Sequence, residues 1–205
     1  MKFANNLVTF LQVNFINMTE TQRHKMLHFF HVLDINNNGI LEEDDFTLVG
    51  NEISDQIGHA KNSTERLALK VKSYGLFLKI LNDIGKSEAT LVFEELLVFY
   101  EDYVLIKSND YILQASEYLF SLFDQDGDGY IDKDEYLDMF KAYGLYSANA
   151  LKAFDLLDLN SDAKISKQEL IKAFSEFFLS SDPNAAGNWI FGDWRISQKL
   201  PKFST

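Results

Sequence analysis

Residues 124–135 read DQDGDGYIDKDE. Acids stand at the first, third and fifth places, glycine at the sixth, an aliphatic residue at the eighth and glutamate at the twelfth. In a tightly curved loop, alternate residues turn their oxygens inward, and Gly129 allows the sharp bend that carries the chain round the centre. A hard divalent cation takes six to eight oxygens at ~2.3–2.6 Å. The expected donors here are Asp124, Asp126, Asp128, the carbonyl of Tyr130, Asp132 and Glu135.

The same twelve-residue frame recurs twice without gaps, as Asp34–Asp45 (DINNNGILEEDD) and Asp158–Glu169 (DLNSDAKISKQE). Apolar residues flank each copy at fixed offsets. Met26, Phe29, Phe30 and Leu33 precede the first, Leu119, Phe120 and Phe123 the second, and Ala153, Phe154 and Leu157 the third. These offsets form one helix face, and Phe46, Tyr136 and Leu170 begin a helix after each loop. The three loops are 36 of 205 residues but hold 14 of the 31 acids, which argues against ordinary solvated turns.

Helix, twelve-residue loop, helix is identified as the EF-hand, and it implies calcium binding. The three loops differ. In Asp34–Asp45 the donors are Asp34, Asn36, Asn38, the Ile40 carbonyl, Glu42 and Asp45. Asp45 is one methylene shorter than glutamate and reaches an ion more easily with one oxygen than with two, so Mg²⁺ is expected to compete with Ca²⁺ there. In Asp158–Glu169 the donors are Asp158, Asn160, Asp162, the Lys164 carbonyl, Ser166 and Glu169. Ala163 stands where glycine is usual, at a cost of order 1 kcal/mol, which leaves the site open but allows it to be weaker.

A fourth stretch, Asn82–Leu97 (NDIGKSEATLVFEELL), keeps the frame and lacks the ligands. Tyr74, Phe77, Leu78 and Leu81 place the first position at Asn82, whereas Leu91, Glu95 and Leu96 place it at Ile84. A fourteen-residue loop, Asn82–Glu95, reconciles the two counts. Its inward positions are Asn82, Ile84 and Lys86, which offer a cation an apolar group and a positive charge. This degenerate second hand is expected to bind nothing and to pair with the first hand, whose apolar surface would otherwise be exposed.

The chain is therefore expected to be all-α, with four hands in two pairs forming a compact two-lobed protein. Residues 1–105 would carry hands one and two, and residues 106–205 hands three and four with a tail. Asp124 and Asp158 are 34 residues apart, Asp34 and Asn82 are 48, so a longer helix is expected around residues 54–75. The segment joining the pairs, residues 97–120, is aromatic and aliphatic, which favours packed lobes over a dumbbell.

Net charge is −12, which disfavours nucleic acid and anionic membrane and suits small cations. No apolar run reaches the ~20 residues that span a bilayer. The absence of cysteine is consistent with a reducing, cytoplasmic compartment. Phe3, Leu7, Phe10 and Leu11 fall at helical spacing, so the first residues read as a short amphipathic helix and not as a signal peptide. His24, His28 and His31 share a helix face that could hold Zn²⁺ or Cu²⁺. That face lies opposite Met26, Phe29, Phe30 and Leu33, so it is read as a solvent face.

Four hands with a dead second one, in an acidic chain of this length, resemble the sarcoplasmic calcium-binding protein group with its calerythrin-like members. The resemblance spans residues 19–192. The tail Ser180–Gly192 (SSDPNAAGNWIFG) looks like the calerythrin-like tail, which implies that it packs back on the body. The coelenterazine photoproteins and luciferin-binding proteins share the plan. Their cavity implies His, Trp and Tyr, a late His and a C-terminal Pro. This chain has no His after His59, Trp only at 189 and 194, and ends in Thr205.

No nucleophile–base constellation is present, so no enzyme is expected. The leading expectation is a cytosolic Ca²⁺ and Mg²⁺ buffer or transporter, a monomer binding three ions. The alternatives are a sensor that exposes an apolar surface to a target protein, and a photoprotein-like carrier of coelenterazine. Four Met against 18 Phe argues against the flexible, Met-rich surface that sensors use.

Overall fold

The computed structural model describes residues 18–106 and 108–195. The short helix expected over Phe3 to Leu11 lies outside them. The described chain is helical throughout its body, with helices α1 (Glu20–Leu33), α2 (Glu43–Ile57), α3 (Thr64–Asp83) and α4 (Phe93–Phe99) in the first half. A π-helical turn, Tyr100–Val104, leads into α5 (Ser108–Phe123), followed by α6 (Lys133–Ala142), α7 (Ser147–Leu157) and α8 (Lys167–Leu179). A 3₁₀ turn, Ala186–Trp189, closes the described chain.

Helix starts follow side-chain chemistry. Thr19 and Gln22 form a reciprocal capping box at α1, as Ser166 and Glu169 do at α8. Each ligand loop leaves its helix one residue before the first acid, since α1, α5 and α7 end at Leu33, Phe123 and Leu157. Each loop then contributes a very short strand. β1 (Leu41–Glu42) pairs antiparallel with β2 (Thr90–Leu91), Leu41 facing Leu91. β3 (Tyr130–Asp132) pairs antiparallel with β4 (Lys164–Ser166), Ile131 facing Ile165. These four aliphatic side chains are fully buried, so each strand pair anchors two loops on apolar contact.

One contiguous apolar core runs through both halves. Helix α1 packs on α4 and α8, α2 on α3 and α6, and α5 on α3 and α8. Phe29, Phe177, Phe178 and Phe191 meet edge to face or tilted at its centre, with Phe29–Phe178 centroids 5.2 Å apart and Phe177–Phe191 centroids 5.3 Å apart. The connecting segment is part of this core, because Phe99, Tyr100, Val104 and Ile112 are buried.

The tail docks against α1, α6, α7 and α8. Asn188, Ile190 and Phe191 are buried, and the Tyr136 hydroxyl donates to the Ile190 carbonyl at 2.8 Å. A Cβ on Gly187 would come within 2.4 Å of the Ala173 carbonyl oxygen, so only glycine lets the tail lie this close to α8. The Lys25 ammonium donates to the Glu176 carbonyl (2.9 Å), the Ser180 carbonyl and Asn188 Oδ1 (both 2.8 Å).

Three expectations need correction. The histidine face is not uniformly solvent: His24 and His31 are exposed, but His28 is buried with Nε2 3.0 Å from the Phe191 carbonyl oxygen, because the tail covers that part of α1. Leu78 points outward and is 48% exposed, and Ile80 takes the buried place beside Phe77 and Leu81. The extra length between hands one and two is not one helix over residues 54–75. It is a turn at Gly58, which has φ 85°, followed by α3, which begins at Thr64.

Candidate metal centres

The twelfth-position carboxylates of the three ligand loops share one arrangement. One oxygen accepts amides from the start of the loop and the other accepts the amide of the ninth residue. Glu135 Oε1 accepts Gln125 N at 2.8 Å, and Oε2 accepts Asp132 N at 3.0 Å. Glu169 Oε1 accepts Leu159 N at 2.9 Å, and Oε2 accepts Ser166 N at 2.8 Å. Asp45 does the same with Asn36 N at 3.1 Å and Glu42 N at 3.0 Å. The carboxylate that would close a coordination shell is thus held in place by the loop itself.

In the third hand, carboxylate oxygens of Asp124, Asp126 and Asp128 lie within 4.8 Å of one another. Asp124 Oδ2 accepts Gly129 N at 3.2 Å, while its Oδ1 is buried and has no hydrogen-bond partner. A buried, unpartnered oxygen among like charges fits a cation, which would supply the missing interaction. Asp128 Oδ1 accepts Tyr130 N at 2.8 Å, and Asp132 Oδ1 accepts the amides of Asp134 and Glu135 at 2.9 Å. Asp132 therefore also caps α6.

The first hand is closed by similar loop hydrogen bonds, with asparagine at its third and fifth places. Buried Asp34 accepts Asn38 N and Gly39 N, each at 3.1 Å. The side-chain amides of Asn38 and Asn36 donate to Glu42 Oε1 at 2.7 and 3.4 Å. Asn38 Oδ1 accepts Ile40 N at 2.9 Å. In the fourth hand Asp158 accepts Asp162 N and Ala163 N, at 3.1 and 2.9 Å. Asn160 donates to Asp162 at 2.9 Å, Asp162 accepts Lys164 N at 3.0 Å, and the Ser166 hydroxyl donates to Glu169 at 2.7 Å. Ala163 sits at φ 67°, where Gly39 and Gly129 sit at 81° and 85° in the equivalent places, so the sixth-position bend is made there against the Cβ.

Electrostatics separate the closing carboxylates. Burial pushes Asp45 and Glu135 above the usual carboxylate range. Burial pushes Glu169 the same way, but the Ser166 hydroxyl and the amides of Ser166, Leu159 and Asn160 outweigh it and hold the group below its ordinary value.

The second hand shows how a loop of this frame is built without ligands. Gly85, at φ 67°, occupies the left-handed fourth position counted from Asn82, matching Asn37, Gly127 and Ser161. Leu91 and Glu95 keep the exit frame through the Leu41 pairing. Two extra residues thus stand between Gly85 and Leu91, and α3 winds on through Asn82 and Asp83. Asn82 is exposed, unlike Asp34. The Lys86 ammonium reaches both oxygens of Glu95 at 2.6 Å. Glu95 still accepts Val92 N at 3.0 Å, as its counterparts accept their ninth-position amides.

Lys164 does more than its place in the loop frame implies. The frame assigns it a carbonyl donor, and its ammonium also crosses to the third hand and pairs with Asp128 Oδ2 at 2.5 Å. The signal available was a lysine at the seventh position of a loop whose pair partner is rich in acid.

Known proteins align with this arrangement. A family model described as an EF-hand domain pair matches residues 114–175. Clytin from Clytia gregaria is 31% identical over 197 residues, covering 90% of this chain and 94% of clytin. Calerythrin from Saccharopolyspora erythraea is 27% identical over 149 residues, 70% of this chain and 84% of calerythrin. The calcium-loaded apo form of coelenterazine-binding protein from Renilla muelleri superposes with a TM-score of 0.68 at 24% identity, covering 86% of this chain and 99% of that one.

Proposed function

The chain belongs to the EF-hand family, and from that premise we propose that it is a calcium buffer or transporter binding three ions through its first, third and fourth hands. The ligands are Asp34, Asn36, Asn38, Ile40, Glu42 and Asp45; Asp124, Asp126, Asp128, Tyr130, Asp132 and Glu135; and Asp158, Asn160, Asp162, Lys164, Ser166 and Glu169. The tyrosine, isoleucine and lysine act through their carbonyls. Mg²⁺ competes at the first hand. The observation that carries this reading is the amide-held carboxylate at the twelfth position of each loop, set against the Lys86 ammonium on Glu95 in the second.

A buffer needs hands that bind without exposing a groove. Among the described residues, the tail and the aromatic centre tie the two proposed pairs through one core. That favours a compact monomer over a sensor that opens toward a target protein. The acidic surface suits cations and disfavours nucleic acid and anionic membranes. No helix among the described residues is long and apolar enough to cross a membrane, and a cytoplasmic location is part of the proposal.

A second reading, a carrier of coelenterazine, is favoured by the likeness to clytin and to the Renilla protein. The interior argues against it. The apolar cavities at Met26–Ile80–Phe178 and at Phe29–Phe174–Phe191 measure about 40 and about 30 Å³. Pockets that bury a drug-sized ligand measure roughly 300–1,000 Å³.

Calorimetric Ca²⁺ titration with and without Mg²⁺ tests the main reading. Three ions are expected, with one class weakened by Mg²⁺. Four ions overturn the account of the second hand. Calcium-triggered luminescence after incubation with coelenterazine would establish the carrier instead, and large calcium-dependent binding of an apolar dye would establish a sensor.

A further inference from the structure

The third and fourth hands are joined by more than strand pairing. Register places Lys164 opposite Asp132, with Ile131 and Ile165 buried beside them. From that edge the Lys164 side chain leaves its own loop, passes over the Tyr130 ring at 4.9 Å, and ends 2.5 Å from Asp128 Oδ2. Its own carbonyl is the seventh-position donor proposed above for the fourth hand. One residue therefore belongs to one loop by its backbone and reaches the other by its charge, its amide on Asp162 and its ammonium on Asp128.

Asp128 has divided its two oxygens. Oδ1 is taken by the Tyr130 amide at 2.8 Å and Oδ2 by the ammonium. Asp124 and Asp126 crowd the same point, and Asp124 Oδ1 is buried without a partner. The ammonium is thus the one cationic side chain seen paired with this carboxylate cluster among the described residues. It neutralises part of the cluster and cannot neutralise all of it. An arriving divalent ion must either displace it from Asp128 or bind beside a like charge.

We propose that Lys164 is the affinity-setting residue of the third hand: its ammonium is a resident counter-cation from the neighbouring loop that competes with calcium for Asp128. This rests on the reading of the third hand as a calcium site. It makes the hand with the most acids weaker than its charge count implies. It also couples the two hands, because displacing the ammonium frees a side chain rooted at the donor carbonyl of the fourth.

The probe is terbium luminescence, since Tyr130 is the one aromatic residue at a seventh position in the three ligand loops and can sensitise an ion in its own hand. Calcium is then titrated against bound terbium in the full chain. Lys164→Gln is expected to bind calcium at the third hand about three- to tenfold more tightly, the scale of losing one exposed ion pair and one like charge near a divalent ion. Lys164→Arg keeps the charge and is expected to stay within about twofold of the parent. The gain in Lys164→Gln should shrink as salt rises from about 0.05 to 0.5 M, because exposed charges are screened. Unchanged or weaker binding in Lys164→Gln overturns the proposal, as does an equal gain in Lys164→Arg. Glu135→Gln separates this from the reading beneath it. If removing Glu135 leaves calcium stoichiometry and the Tyr130-sensitised signal unchanged, the third hand is not a calcium site and both statements fall.

Discussion

The Lys86 ammonium lies 2.6 Å from both carboxylate oxygens of Glu95. Glu95 is the twelfth-position residue of the second hand, in the place that Asp45, Glu135 and Glu169 hold in the other loops. Lys86 comes from the inward side of the same loop. A tethered positive charge therefore satisfies the closing carboxylate from within, and the loop keeps its strand pairing with the first hand. Lys86→Met would leave Glu95 partly buried with only the Val92 amide. A loss of about 1–2 kcal/mol in urea unfolding is expected, with calcium stoichiometry still three. A gain of a fourth ion would show that Lys86 alone blocks the site.

Ala163 stands at φ 67°, where the other two ligand loops have glycine. Ala163→Gly should remove the Cβ strain, against a smaller loss from the freer unfolded chain. The expected result is about 0.5–1 kcal/mol of stability or, read as binding, calcium affinity of the fourth hand up by about two- to fivefold. Titration in a Glu135→Gln background, where the third hand is silent, reports it.

The ligand loops were legible because coordination fixes spacing. Oxygens at alternate places, a bend at the sixth and a carboxylate at the twelfth leave little freedom, so the three loop frames follow from counting from Asp34, Asp124 and Asp158, and the twelfth carboxylate of each meets its loop amides. The second hand was legible as a conflict of two frames, and Gly85 and Leu91 bear out both ends of it. The inward place given to Leu78 was wrong because α3 turns Ile80 inward instead. Lys25, His28 and Lys164 were not legible. Their partners lie 163 or 36 residues away, and only docking of the tail or the register of a three-residue strand brings them together.

Lys25 gives a pH signature. Burial pulls its ammonium down to about 8, against the attraction of Glu176 and Asp182. The folded state then releases this proton before the unfolded state, whose lysine titrates near its ordinary value. Between pH 8 and 10.5 the unfolded chain holds more protons, so this group makes stability rise with pH, by about 3 kcal/mol across the window. Below pH 8 it contributes no slope. Urea unfolding of the parent and of Lys25→Met should differ by a term that grows over this range. Curves that stay parallel would sink the assignment.

Gly187 is where the tail crosses α8. Gly187→Ala would drive a Cβ to 2.4 Å from the Ala173 carbonyl oxygen and 2.7 Å from Glu176 Cβ. Two backbones, not a flexible side chain, must separate. A loss of about 2–4 kcal/mol is expected, with Trp189 fluorescence moving toward that of an exposed indole. Thermal unfolding and emission spectra check it together.

Asp45 is the residue proposed to set the metal preference of the first hand. Both its oxygens are held by loop amides, and it is fully buried. A glutamate reaches further from the same anchor and can offer two oxygens to an ion, which favours the larger coordination number of Ca²⁺ over the strict octahedron of Mg²⁺. Asp45→Glu should therefore raise the Ca²⁺-to-Mg²⁺ preference of this hand by about tenfold, with the third and fourth hands unmoved. In calorimetry the Mg²⁺-sensitive class of sites would disappear from the Ca²⁺ isotherm. If that class persists in Asp45→Glu, the competition arises elsewhere, and the shortness of Asp45 is not its cause.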